Sequence, residues 1–268
     1  MRVNYIHGFL ETTEDNFNRY ITSKGLEWTN KRSIVISFQE SIVYSGENRT
    51  MDIGYLNPLA FHLEAEWNNR LNTIGKNNSN AVWQISLDYI HENNLRFSGN
   101  FLFDDLVIDR EIENNMQNAI AYSLKINQLY KNLKYDINTY LSLISIGTPT
   151  FRHNKYNNFV IKDEPLGNSI GSDCKETLIG IDYTDRKSFY CIFELSHIVI
   201  GERNLLFNPY NPNLESNYLK DKFPSGEETS FSNLTLEIKK RVRKNLTFNL
   251  AVDWTKLAKT QYLIGFDI

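Results

Sequence analysis

Ser196 and His197 are the first pair in the sequence with the chemistry of a nucleophile and its base. They sit side by side in a run that alternates apolar and polar residues as a β-strand does. Neighbouring strand residues point to opposite faces, so this hydroxyl and this imidazole cannot pass a proton. Asp104 and Asp105 fail as a general acid–base pair for the same reason. Asp105, Asp109 and Glu111 share one strand parity and offer either a Ca²⁺ site or, more simply, a solvated acidic rim. His7, His62, His91, His153 and His197 have no metal-ligand spacing. There is no phosphate-binding loop, dinucleotide fingerprint or Gly-x-Ser-x-Gly elbow. Cys174 and Cys191 flank a hairpin about Asp185-Arg186. That register sets Cys174 against a residue near 197 and Cys191 against one near 180, so the thiols do not meet. The residues therefore predict no catalysis, no metal and no cofactor.

The chemistry that remains is binding. Glu27, Asn100, Asp104, Thr235, Glu237, Asn249 and Asp253 lie on the polar side of alternating segments. Such groups line a wet lumen and suit neutral or cationic polar solutes and carbohydrate hydroxyls. Simple hydration of an interior is the plainer role for any one of them.

The elements that position these groups are strands. Tyr262, Ile264, Phe266 and Ile268 alternate with polar or small residues, as do Leu246, Phe248, Leu250, Val252 and Trp254. The same period of two runs through Ser232 to Ile238, Ala81 to Tyr89 and Leu95 to Phe103. Weaker segments lie near 2–11, 19–29, 33–44, 118–129, 134–146, 176–184 and 188–200. That makes about twelve strands joined in part by short turns, hence antiparallel neighbours and a sandwich or a barrel. Strands of about ten residues suit a tilted membrane crossing, whereas soluble strands average about five or six. Several also end in aromatics, as Phe101/Phe103 and Trp254 do, which fits interfacial girdles. Asn57 and Pro58 predict the start of a helix over 57–69. Two long connections, from Gly147 to about Lys175 and from Gly201 to about Glu228, break the regularity; loops this long are usually functional or disordered.

Composition agrees. The chain has 268 residues, 41% of them hydrophobic and 23% charged, with 29 Lys+Arg against 32 Asp+Glu. A net charge of −3 gives no reason to expect a nucleic-acid partner. Mean hydropathy is −0.43, and no run approaches the ~18 apolar residues of a membrane helix. A helical membrane protein is excluded and a β-barrel is not. The opening MRVNYIHGFL has neither the apolar core nor the cleavage site of a signal peptide, which by itself points to the cytoplasm.

The run Phe151-Arg152-His153-Asn154, then Asn157-Asn158, Pro165-Leu166-Gly167 and Gly171-Ser172-Asp173, resembles the capsule assembly Wzi family of outer-membrane barrels. Phe38-Gln39-Glu40, Ile42 to Gly46, Tyr55 to Leu59, Leu102 to Asp105 and Ser225 to Glu228 agree in order. The resemblance implies an all-β, antiparallel transmembrane barrel, with residues 1–268 forming one barrel domain. The described family member is an eighteen-stranded, plugged barrel that binds capsular polysaccharide at the cell surface. Twelve strands would then be the C-terminal two-thirds of such a barrel, lacking an upstream piece. The resemblance further implies a bacterial outer-membrane location, with surface polysaccharide and outer-membrane lipids as partners. The segment from Tyr262 to Ile268 resembles the closing strand by which such barrels meet the barrel assembly machinery. Arg152, His153, Asn154, Asn158 and Asp173 are the loop residues expected to bind sugar or pin the loop, pinning being the favoured role for Asn158 and Asp173. Glu40 and Asp104 are weaker lumen candidates. The alternatives are an outer-membrane diffusion channel or exporter for small polar solutes, a membrane-embedded lipid hydrolase, and a soluble β-protein.

Overall fold

The computed structural model describes residues 1–57, 79–92, 94–105, 118–153, 156–206, 222–243, 246–257 and 262–267. The strands are β1 (Arg2–Thr12), β2 (Phe17–Thr29), β3 (Ile34–Glu47), β4 (Ser79–His91), β5 (Leu95–Asp105), β6 (Ala119–Lys131) and β7 (Asp136–Ile146). After them come β8 (Val160–Ile161), β9 (Glu164–Pro165), β10 (Cys174–Thr184), β11 (Phe189–Ile200), β12 (Thr229–Arg243), β13 (Leu246–Leu257) and β14 (Tyr262–Asp267). Twelve of them form one sheet in the order β1-β2-β3-β4-β5-β6-β7-β10-β11-β12-β13-β14, and β8 and β9 pair separately. As the alternation predicts, the protein is all-β and every pairing is antiparallel. Among the described residues β1 and β14 are the two edges of the sheet.

Register keeps one face apolar from strand to strand. Ile36 lies opposite Leu87, Ile85 opposite Phe101, Phe101 opposite Tyr122 and Leu124 opposite Leu143. Leu141 lies opposite Ile179, and Ile179 opposite Leu195. These side chains are 38–55% exposed. A water-soluble monomer seldom shows so continuous a band of large apolar groups, whereas the lipid face of a barrel must.

The opposite face, here called inner, is polar and internally bonded. Gln84 donates to Asn100 at 3.0 Å and Asn100 to Ser123 at 2.9 Å. Gln39 donates to Ser23 at 2.8 Å, and Asn138 to Asp182 at 3.1 Å. Tyr140 lays its ring across Gly180 and donates to Glu194 at 2.5 Å, with Asp182 3.2 Å from the same hydroxyl. A Cβ on Gly180 would stand 2.2 Å from Tyr140 Cζ, so only glycine permits this crossing.

Pairing of neighbours sends successive connections to alternate ends. One end carries 30–33, 92–94, 132–135, 185–188 and 244–245, all short. The other carries 48–78, 106–118, 147–173 and 201–228, together with the shorter 13–16 and 258–261. At this long-loop end the inner face turns apolar. Val43, Val82, Leu102, Ala121, Ile146 and Cys174 form a buried cluster with Phe151, Phe159 and Leu205 from the connections. Segment 147–173 therefore folds back onto the inner face.

Three local readings change. The hairpin between β10 and β11 sets Cys174 against Ile200 and Cys191 against Tyr183, three residues beyond the expected register. The cause is Asp185, whose Oδ1 accepts the amides of Lys187, Ser188 and Phe189 and draws three more residues between Thr184 and its partner Tyr190. Cys174 faces inward, Cys191 outward, and both are free thiols. A short helix, α1 (Ile53–Leu56), precedes the predicted one; Asp52 caps it, and Asn57 ends it in an extended conformation. The rest of the predicted helix, 58–69, lies outside the described residues, as do Asp109 and Glu111.

Candidate functional site

The cap begins where β7 ends. Asp173 Oδ1 accepts the Thr148 hydroxyl and the Ser225 amide, both at 2.9 Å. Its Oδ2 accepts the Ser225 hydroxyl at 2.5 Å and the Arg203 amide at 3.1 Å. The carboxylate is fully buried, and these donors replace the water it has lost. A Cβ on Gly201 would lie 2.1 Å from Asp173 Oδ2, so glycine is required beside it. Asp173 thus joins the two long connections foreseen in the sequence.

Asp104 closes the opposite side. Its parity on β5 points it inward with Leu102, and its Oδ2 accepts the Phe151 amide at 2.6 Å. This bond holds the cap where Phe151 adopts a left-handed φ of 69°. Asn158 is buried; its side-chain oxygen accepts the His153 amide at 2.9 Å and its carbonyl accepts Arg19 Nη2 at 2.6 Å. Arg152 is buried within the cap, and His153 is partly exposed beside it. Asn154 lies outside the described residues. The structure therefore gathers Arg152, His153, Asn158, Asp173 and Asp104 at one end of the sheet.

Glu40 is elsewhere. On β3 it shares parity with Ile36 and Phe38, so it points to the outer, apolar face and not into the lumen. There it pairs with Lys24 at 2.9 Å and accepts from Trp83 Nε1 at 2.9 Å. Above this pair Ile42, Tyr44, Tyr55 and Ala81 form a second cluster, with Tyr44 and Tyr55 stacked at 4.3 Å. Arg49 lies 4.9 Å over the Tyr44 ring and pairs with Asp52 at 3.0 Å. Burial pushes the Tyr55 phenol above its ordinary range. Strand parity within Phe38-Gln39-Glu40 carried the signal for this placement.

Sequence reasoning passed over three residues of the cap. Arg19, on the inner face of β2, sends Nε to the Tyr156 carbonyl at 2.5 Å and Nη2 to the Asn158 carbonyl, and pairs with Glu11. A basic residue at an inward strand position, two before Ile21, was its trace. Asn204 donates to the carbonyls of Ile170 and Ser172 at 2.7 and 2.6 Å, and Thr150 to that of Ile120 at 3.1 Å. Nothing near them in the chain distinguishes these two.

No protein-family model and no curated protein matches the sequence. A solved structure does match in shape. It is Wzi of Escherichia coli, described as an outer membrane protein involved in group 1 capsule assembly and a carbohydrate-binding β-barrel. The TM-score is 0.67 over 98% of this chain. The fold is Wzi-like. Identity is 12%, so the likeness is one of architecture. The chain spans about half the length of that structure, 53%, less than the two-thirds implied by the resemblance.

Proposed function

We propose that the chain is part of a bacterial outer-membrane β-barrel that binds or anchors capsular or other surface polysaccharide, without catalysis. The observation that carries this reading is the Wzi-like sheet with its long connections gathered at one end. Outer-membrane barrels keep short turns on the periplasmic side and long loops outside. The cap then faces the cell exterior, and the exposed apolar band meets lipid. Asp173, Asp104 and Asn158 act by holding the cap in shape; buried Arg152 backs its surface from within, and partly exposed His153 reaches that surface.

Purified protein passed over immobilised capsular polysaccharide tests this directly. Retention is expected, and Arg152→Ala with His153→Ala weakens both retention and cell-surface capsule. Unchanged binding and unchanged capsule in that variant count against the assignment of these residues. Absence of retention in the unaltered protein defeats the function. The bonded polar inner face favours a rival, a diffusion channel for small polar solutes. Segment 147–173 across the inner face opposes it, and steady ion conductance in a planar bilayer would establish the rival.

A further inference from the structure

Outside the pins of the cap lies a cleft of about 500 Å³ between the β1–β2 turn and the β8–β9 hairpin. That volume is in the range of small-ligand sites. Four carboxylates line it, from Glu11, Glu14, Asp15 and Asp163, against the two cations Arg19 and Lys162. Val160, Leu205 and Leu206 supply apolar lining, and the lining ring of Tyr156 is held flat against Phe17 at 4.0 Å. Tyr156 also donates its hydroxyl to Asp15 at 2.8 Å. Apolar and aromatic surface beside hydrogen-bonding carboxylates is what a sugar ring needs, with its C–H face on one side and its hydroxyls on the other.

The charges decide which sugar. All three nitrogens of the Arg19 guanidinium are engaged within the wall, with Glu11 and with the carbonyls of Tyr156 and Asn158. Arg19 is also only 5% exposed, so it turns no fork to solvent for an incoming carboxylate. Glu11 is taken up by Arg19 and by the Lys162 amide at 3.3 Å. Exposed Glu14 and Asp163 remain beside exposed Lys162, so the cleft presents net negative charge to solvent.

We infer that this cleft is a saccharide subsite that takes units without a carboxylate, best those carrying an ammonium group, and rejects uronates. The inference rests on the polysaccharide reading above and adds the place and the selectivity. The test uses the full chain, folded in detergent, against chitosan oligosaccharides, neutral hexose oligosaccharides and oligogalacturonate. Binding is expected in that order, with chitosan at least tenfold tighter than oligogalacturonate at low salt. Glu14→Lys with Asp163→Lys reverses the order of the first and last, and Glu14→Gln with Asp163→Asn flattens it. A heat-induced shift on gel electrophoresis equal to that of the unaltered chain shows that each variant is folded. Oligogalacturonate bound as tightly as chitosan by the unaltered chain overturns the inference. So does an order unmoved by both double variants, and either result leaves the polysaccharide function standing. No binding of any of the three overturns the inference alone, since loss of retention on capsular polysaccharide is what overturns the function.

Discussion

The two ends of the sheet are closed by different physics. At the short-turn end the connections 30–33 and 185–188 are each held by one of their own side chains. Asp185 accepts three amides from the four residues that follow it, and Asn30 Oδ1 accepts those of Arg32, Ser33 and Ile34 at 2.9 Å. At the long-loop end the bonds cross the chain. Asp173 reaches Ser225, Asp104 reaches Phe151, and Arg19 reaches Asn158. Local turns form wherever a short polar side chain can bond its own backbone. A cap assembled from distant segments exists only after the sheet has brought them together. The first end is therefore a scaffold, and the second is an assembled surface that a ligand can use.

The largest effect is expected at the centre of that surface. Asp173→Ala strips the acceptor from the buried Thr148 hydroxyl and from the buried Ser225 amide, while the Arg203 amide keeps Ser225 Oγ at 3.2 Å. Each buried donor left unmade costs about 1–3 kcal/mol. Limited proteolysis should cut 147–173 and 201–228 far faster while the short turns stay protected. Equal protection at both ends would remove the distinction between them.

Next is the ion pair beneath the aromatic cluster on the outer face. Glu40→Ala leaves Lys24 buried without its carboxylate, a loss of about 3–5 kcal/mol. Lys24→Leu with Glu40→Leu should recover most of it, read as the denaturant midpoint of refolded protein. A double variant as unstable as the single one would contradict the outward placement of Glu40.

A smaller change is expected midway between the ends. Gly180→Ala drives a methyl into the Tyr140 ring, an overpacking cost of about 1–3 kcal/mol. Tyr140→Ala in the same chain should relieve it. Additive losses in the double variant would show that the ring does not cross Gly180.

The smallest effect belongs to the short-turn end. The amides of Phe189, Ser188 and Lys187 hold the Asp185 carboxyl well below the usual aspartate range. A group whose pKa is lowered by folding stabilises the fold above its unfolded value and loses that contribution as pH falls through the folded one. The Asp185 side-chain NMR titration should sit below that of a free aspartate, and Asp185→Ala should abolish this turn's share of acid sensitivity. An ordinary aspartate titration would mean that the turn is not held this way.

Legibility in the sequence followed the same division. Period two placed all twelve strands of the sheet, because one apolar face must be continuous whatever the loops do. Ser196 and His197 could be parted by parity alone, and β11 parts them, His197 lying 3.0 Å from outward Ser232. The β10–β11 register was missed by three residues because a side chain, not a backbone turn type, sets its length. Glu40 was misplaced because it was taken apart from the parity of Phe38. The pins Arg19, Thr150 and Asn204 left little trace, since each bonds to carbonyls supplied by distant segments. Asp173 and Asn158 were found through resemblance, and their bonds show how they hold the cap.

The most direct test is which end faces out of the cell. Asp163→Cys at the long-loop end and Arg186→Cys at the short-turn end would each be placed in a chain with Cys174→Ser and Cys191→Ser. Intact cells would then be treated with a membrane-impermeant maleimide. The account predicts rapid labelling at 163 on intact cells, and labelling at 186 only after the outer membrane is opened. Labelling at 186 alone on intact cells, or protection of both sites until the cells are lysed, would contradict a polysaccharide-binding cap on the cell surface.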